Sequence, residues 1–252
     1  MFGFDPLYFV WLAPGLMLAL WAQWRTQRAF RQGQAVVPTR RITGAQAAAE
    51  VLQFAGITRV AIEPSEDVLT DHYDLRHKVL RLRPDVYYGQ SLAALGRAAH
   101  EAGHALQDAT GYPLLGLRNG LVPMASLGSP VFWLLMLAGC MLVAVQSLWG
   151  ELVLLLGIAV FSVTVLCQLI NLPIEFDAST RARHLLVHSG MVTVAEAPGV
   201  QRVLHAAAVT YVAATLTAVL MRLYCCRRAG LRGGSRSQCS PGRRSHRKDK
   251  TQ

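Results

Sequence analysis

Four apolar runs divide the chain, and the polar stretches between them follow two different periods. Leu7 to Trp24 reads LYFVWLAPGLMLALWAQW without a charge. At about 1.5 Å per helical residue, such a run reaches across most of a bilayer core of about 30 Å. No residue between Arg118 and Glu151 is charged, and PVFWLLMLAGCMLVAVQSLWG inside that interval predicts a spanning helix. Residues 152–172 are again uncharged, so a single acid, Glu151, separates the two runs. That pattern predicts a tight transmembrane hairpin within residues 121–172. The fourth run, residues 206–221, is short and stands as either a short span or a buried helix.

The segment after the first run is patterned for water. Residues 43–56, TGAQAAAEVLQFAG, predict a short amphipathic helix that stops at Gly56. TRVAIEP (58–64) and HKVLRLRP (77–84) alternate apolar with polar or small residues and predict half-buried strands. The polar connection SEDVLTDHYD separates them, which suits a small β-hairpin. A further helix is predicted from Ser91, a good N-cap residue, onward through residues 100–107. There are no internal repeats.

Composition agrees with a membrane protein. Of 252 residues, 52% are hydrophobic and only 16% charged, with a mean hydropathy of +0.30; soluble domains carry about a quarter charged residues. The net charge of +10 could suggest a nucleic-acid partner. Its location argues against one. From Arg222 onward there are ten Lys or Arg and one acid, leaving 15 basic and 14 acidic residues elsewhere, with no basic stripe interleaved with aromatics. The five cysteines, Cys140, Cys167, Cys225, Cys226 and Cys239, lack metal-type spacing and define no disulfide framework.

Charge also orients the chain. No Lys or Arg precedes the first run, whereas Arg25, Arg28, Arg31, Arg40 and Arg41 follow it. The positive-inside rule then puts residues 25–120 in the cytoplasm, and the hairpin returns the chain to that side. Nothing basic precedes the first run and no small-residue cleavage site follows it, so it reads as a retained anchor rather than a secretory signal.

The chemistry lies in the helix predicted after Ser91. It contains His100-Glu101-Ala102-Gly103-His104. Positions i and i+4 share one helix face, and two neutral imidazoles there can bind one zinc ion. Glu101 projects about 100° around the helix from His100, beside such a metal rather than on it. A carboxylate there suits a general base acting on water. A catalytic zinc takes a third protein ligand. The downstream choices are His184, His188, His205, His246, Glu151, Glu175, Asp177 and Glu196. Glu175 fits best, because it follows the third apolar run just beyond Pro173, a helix-start signal, on the face the hairpin returns to. Asp177 is then available to orient an imidazole through its free N–H, or is simply a helix-start carboxylate.

Three blocks, DHYDLRHKVLRLRPDVYYGQSLAALGRAAHEAGHALQ, NLPIEFDASTRAR and GVQRVLHAAAVTYVAA, resemble the YugP-type neutral zinc metallopeptidases of bacterial membranes. The resemblance covers roughly residues 5–222. More distantly, the order of motif helix, membrane hairpin and Glu-Phe-x-Ala is similar to the HtpX and CAAX-processing membrane proteases. It implies Glu175 as third zinc ligand, peptide-bond hydrolysis and one Zn2+ per chain, without an established substrate. After Met221 the chain departs from the apolar ending of that family. Residues 222–252 are expected to be a basic disordered tail. A genuine polybasic tail, a cytoplasmic C-terminus with residues 206–221 buried, and an out-of-frame ending all remain open, the last being favoured.

The expectation is therefore a mainly α membrane protein with three or four transmembrane helices. Its organisation runs from an N-terminal anchor (1–24) through a cytoplasmic zincin-like part with the motif helix and hairpin (25–120) and the membrane hairpin (121–172). A third-ligand helical segment (173–205), the fourth run (206–221) and the tail follow. The expected activity is that of a multi-pass zinc endopeptidase of the bacterial inner membrane. His100, His104 and Glu175 hold the metal, Glu101 is the base, and the active site faces the cytoplasm. Peptides or proteins, membrane proteins among them, are its substrates, and Val79–Leu82 is the strand that could pair with them. The alternative is a non-catalytic zinc-binding membrane scaffold or adaptor.

Overall fold

A computed structural model describes residues 6–65 and 71–236. Seven helices and three strands run in the order α1 (Pro6–Gln34), α2 (Gly44–Phe54), β1 (Ala61–Pro64), β2 (His72–Asp74), β3 (Val79–Leu82), α3 (Pro84–Tyr87), α4 (Leu92–Ala109), α5 (Pro113–Ala144), α6 (Gly150–His188) and α7 (Ala197–Arg236). The fold is that of a mainly α membrane protein.

Local chemistry fixes the water-facing elements. Thr43 caps α2 through a reciprocal capping box with Gln46, and Gly56, at φ 72°, turns the chain out of it. Ser91 caps α4 by accepting from the Ala94 N–H. The hairpin is real, but its first strand is β2, inside the segment read as a polar connection. Asp74 makes the turn, accepting from the Arg76 and His77 N–H groups. β1 joins the other side of β3 in parallel, giving the order β1-β3-β2. Val79–Leu82 is thus the central strand with both edges occupied, so it cannot pair with a substrate.

Two apolar cores result. One joins α2, the sheet, α4, the end of α6 and the start of α7, with Val51, Leu80, Leu95, Ala102, Leu186 and Val200 all buried. Here α4 is enclosed on every side: each residue from Ala98 to Gln107 is buried. Its alanines and Gly103 make such close packing possible. The second core is small, built from Phe132, Ile158 and Cys225 of α5, α6 and α7.

Among the described residues three helices are long and apolar enough to cross a membrane: Pro113–Ala144, Gly150–His188 and Ala197–Arg227. The first two expose Leu134, Leu137, Met141, Leu155 and Leu156. Water would penalise such a surface heavily. The helix ends differ from those read in the sequence. Pro173 does not start a new helix; α6 passes through it unbroken. A proline removes one backbone donor, and neighbouring helices or polar groups tolerate that loss in membrane helices. The fourth run is the middle of α7, which is 40 residues long. Residues 222–236, expected to be disordered, continue that helix, while residues 237–252 lie outside the described part.

Candidate metal centre

The site forms where α4 crosses α6. Closest approach falls at Gly103, where an added Cβ would lie 2.7 Å from the Ala178 carbonyl oxygen. Only glycine lets the two backbones come so near. One turn earlier on α6, this crossing brings the Glu175 carboxylate over the two histidines. His100 Nε2 lies 3.2 Å from one Glu175 oxygen, and His104 Nε2 lies 3.8 Å from the other. The imidazoles stand edge to face, their centroids 4.8 Å apart. His100, His104 and Glu175 are all buried, and their ligating atoms lie within 4.8 Å of one another, a group that could hold a metal ion.

The tautomers can be worked out from the hydrogen bonds. Gln107 is fully buried. Its Nε2 donates to the Ile174 carbonyl and to Asp177 Oδ2, each at 2.8 Å. With both donors committed, its Oε1 is the atom 3.0 Å from His104 Nδ1, so Nδ1 carries the proton. That leaves the Nε2 lone pair facing Glu175. His100 is oriented by Ser179 Oγ, 3.2 Å from its Nδ1, a hydroxyl able to accept from or donate to that nitrogen. Burial, with His100 beside it, pushes the pKa of His104 down, keeping the imidazole neutral as a ligand must be. Two imidazoles and a carboxylate form a donor set that suits zinc.

Glu101 turns away from the imidazoles toward Arg97, whose Nη2 lies 3.5 Å from Glu101 Oε1. Arg97 Nε lies 3.3 Å from Asp71 Oδ2. The Asp71 carboxylate also accepts from the Arg83 backbone N–H and its Nε. A buried carboxylate thus anchors a partly exposed guanidinium beside Glu101.

The other residues singled out in the sequence fall elsewhere. Asp177 does not touch an imidazole; it acts on His104 only through Gln107, and Arg181 Nε donates to it at 2.7 Å. The helix period explains this: Asp177 stands two positions past Glu175 and so points off the shared face. His184 and His188 stack on each other on an exposed part of α6, their rings 4.0 Å apart. Glu196 stands just before α7, its carboxylate accepting from Thr39 and Thr193. Glu151 is at the opposite end of α6, about 36 Å from Glu175 along a straight helix. His205 is exposed on α7, and His246 lies outside the described residues.

Sequence reasoning missed Gln107, Ser179, Arg97 and Asp71. Two of them carried a signal. Gln107 falls on the stripe of His100 and His104, at i+7 and i+3, and Ser179 lies four residues after Glu175.

Comparison with known proteins gives one family. The model described as "Putative neutral zinc metallopeptidase" matches residues 8–229. The chain is similar to "Putative membrane protease YugP" of Bacillus subtilis (strain 168), with 43% identity over 204 residues, covering 81% of this chain and 88% of that one. No solved structure matches.

Proposed function

The chain belongs to this neutral zinc metallopeptidase family, and on that premise we propose a membrane zinc endopeptidase in which His100, His104 and Glu175 are the ligands of one Zn2+ and Glu101 is the general base. The observation that carries the proposal is the convergence of both Nε2 atoms on the Glu175 carboxylate, all three residues being buried, with Glu101 adjoining His100. Zinc, when bound, supplies a Lewis acid that polarises a carbonyl and acidifies water.

The protein supplies the rest. Gln107 holds His104 in one tautomer, Ser179 orients His100, and α6 fixes Glu175 opposite them. Glu101 removes a proton from the attacking water and delivers it to the leaving amine nitrogen. Arg97 holds the Glu101 carboxylate in place. Detergent-purified protein is expected to cleave unfolded casein, to stop with chelator and to resume when zinc is restored. A scaffold would bind zinc and leave casein intact.

The arrangement of the ligands yields one further expectation. Exchanging Gln107 for Leu removes the acceptor for His104 Nδ1 while keeping much of the volume. Zinc affinity is expected to fall about 10–100-fold, as for other outer hydrogen-bond partners of metal ligands. Competition with a chromogenic chelator measures it, and wild-type affinity in Gln107→Leu would refute the role given to this residue.

Orientation follows from Arg25, Arg28 and Arg31, which sit on α1 just beyond its apolar part. We place the α1 anchor with its N-terminus outside, the hairpin α5–α6 across the bilayer, and the metal site on the cytoplasmic face of the bacterial inner membrane. Arg76 is exposed in the β2–β3 turn and makes a good reporter. With native cysteines replaced, Arg76→Cys is expected to resist an impermeant maleimide in intact cells and to react once the membrane is opened. Labelling in sealed cells would put the site on the other face.

A further inference from the structure

A peptidase needs a hydrogen-bond donor for the oxygen that becomes negative as water adds to the scissile carbonyl, besides its base and metal ligands. Most polar side chains around the site are already committed. Both donors of the Gln107 amide are used, and Ser179 Oγ lies against His100 Nδ1, on the opposite edge of the ring from the Nε2 atom that faces Glu175. Arg97 is held between Asp71 and Glu101.

Tyr211 is the exception. Two contacts set the register of α7 against α6: Arg183 Nη1 donates to Gln201 Oε1, and Thr215 Oγ1 lies 3.4 Å from the Gln168 carbonyl oxygen. Moving back from 183 to 168 on α6 thus corresponds to moving forward from 201 to 215 on α7. The helices run antiparallel, and Tyr211 comes level with residues 171–172, one turn from Glu175. Its ring lines a cavity of about 430 Å³ between α1, α4 and α7, together with Arg97, Asp71, Arg83, Thr210 and Phe30. The hydroxyl lies within electrostatic reach of both Glu175 and Glu101. Among the described residues no hydrogen bond occupies it.

We propose that Tyr211 is a catalytic residue whose phenol donates a hydrogen bond to the scissile carbonyl oxygen as negative charge develops there. This rests on the peptidase reading above. In the step concerned, the water oxygen forms a bond to the carbonyl carbon and the carbonyl π electrons move onto its oxygen. Tyr211 stabilises that oxygen and keeps its own proton. The electrons return as the C–N bond breaks, and Glu101 carries the water's proton to the nitrogen. The cavity lined by Tyr211 and Arg97 gives the substrate chain room beside the guanidinium that faces Glu101.

Tyr211→Phe removes only the hydroxyl. On fluorescein-labelled casein, kcat is expected to fall about 100–1000-fold, with KM changing by less than about threefold and bound zinc unchanged. A phosphinic peptide, which resembles the tetrahedral intermediate, should bind the zinc-loaded variant more weakly by a similar factor. In a Glu101→Gln background, uncleaved casein should bind equally well with Tyr or Phe at this α7 position. Cleavage by Tyr211→Phe within threefold of wild type, where Glu101→Gln is inert, would overturn this role and leave the peptidase reading standing. Loss of zinc, a markedly lower melting temperature, or unchanged phosphinic-peptide affinity would overturn it too, the first two by showing that the hydroxyl is structural. Continued cleavage by Glu101→Gln would instead sink the peptidase mechanism itself.

Discussion

Glu101→Gln is expected to lower casein cleavage by about 1000-fold or more, toward the upper part of the range for loss of a general acid–base group. The two side chains are nearly isosteric, but an amide has no appreciable basicity at neutral pH. Zinc content should stay at the wild-type level, because the Nε2 atoms converge on Glu175 and Glu101 points toward Arg97. The amide oxygen of the variant can still accept a hydrogen bond from Arg97, so neither that guanidinium nor Asp71 is left wholly without a partner. This separates chemistry from folding, which a change to alanine would not, since a buried charged group stripped of its partner is costly. The measurement pairs initial rates with metal analysis on the same preparation. A fully zinc-loaded Glu101→Gln protein cutting at the wild-type rate would assign the base elsewhere. The scaffold alternative makes the opposite forecast, namely that neither protein cuts at all.

Much of this architecture is written locally. The Thr43–Gln46 box, Gly56 and the Ser91 cap are short-range devices, and each ends or starts its helix where the sequence indicates. The hairpin α5–α6 is equally readable, because two uncharged runs on either side of one acid leave few alternatives. Harder features depend on distant partners. β2 has only three residues, and its identity as a strand comes from pairing with Leu80 and its neighbours rather than from its own polar sequence. The continuity of α6 through Pro173 contradicts local propensity; Pro173 itself is exposed, while its helix neighbours Asn171, Ile174 and Glu175 are buried. Asp71 and Arg97 are separated by 26 residues, and no periodicity links them.

The motif itself illustrates the same division. His100 and His104 are legible from spacing, and Glu175 from its place after the third apolar run. The supporting partners are only half visible. Asp177 reads as a direct partner of an imidazole because it is acidic and close in sequence to Glu175. The fold inserts Gln107 between them, an amide that satisfies a neutral donor and a carboxylate at once. One of the two α4 residues between Glu101 and His104 also gains a reason: Gly103 is small because the α6 backbone passes there at Ala178.

Glu175→Ala is expected to remove most bound zinc, whereas Asp177→Ala keeps it with an affinity lowered by about 10–100-fold. The difference comes from what each carboxylate touches. Glu175 is the anionic member of the triad, facing both imidazoles from a buried position with oxygens 3.2 and 3.8 Å from their Nε2 atoms. Removing it leaves two neutral ligands on one helix, fewer than the three that zinc sites of this class use. Asp177 instead restrains the far side of Gln107, which keeps its bond to the Ile174 carbonyl when Asp177 is lost. The amide then has less reason to hold its orientation, so His104 is less firmly set, and affinity drops without the ligand set changing. His184→Ala should bind zinc as wild type does, since its ring stacks on His188 away from the triad. Dialysis against a chelator series, read by metal analysis, ranks the variants. Full occupancy in Glu175→Ala would move the third ligand to another residue. Equal loss in Asp177→Ala and Glu175→Ala would mean that the hydrogen-bond chain through Gln107 matters as much as the ligand itself.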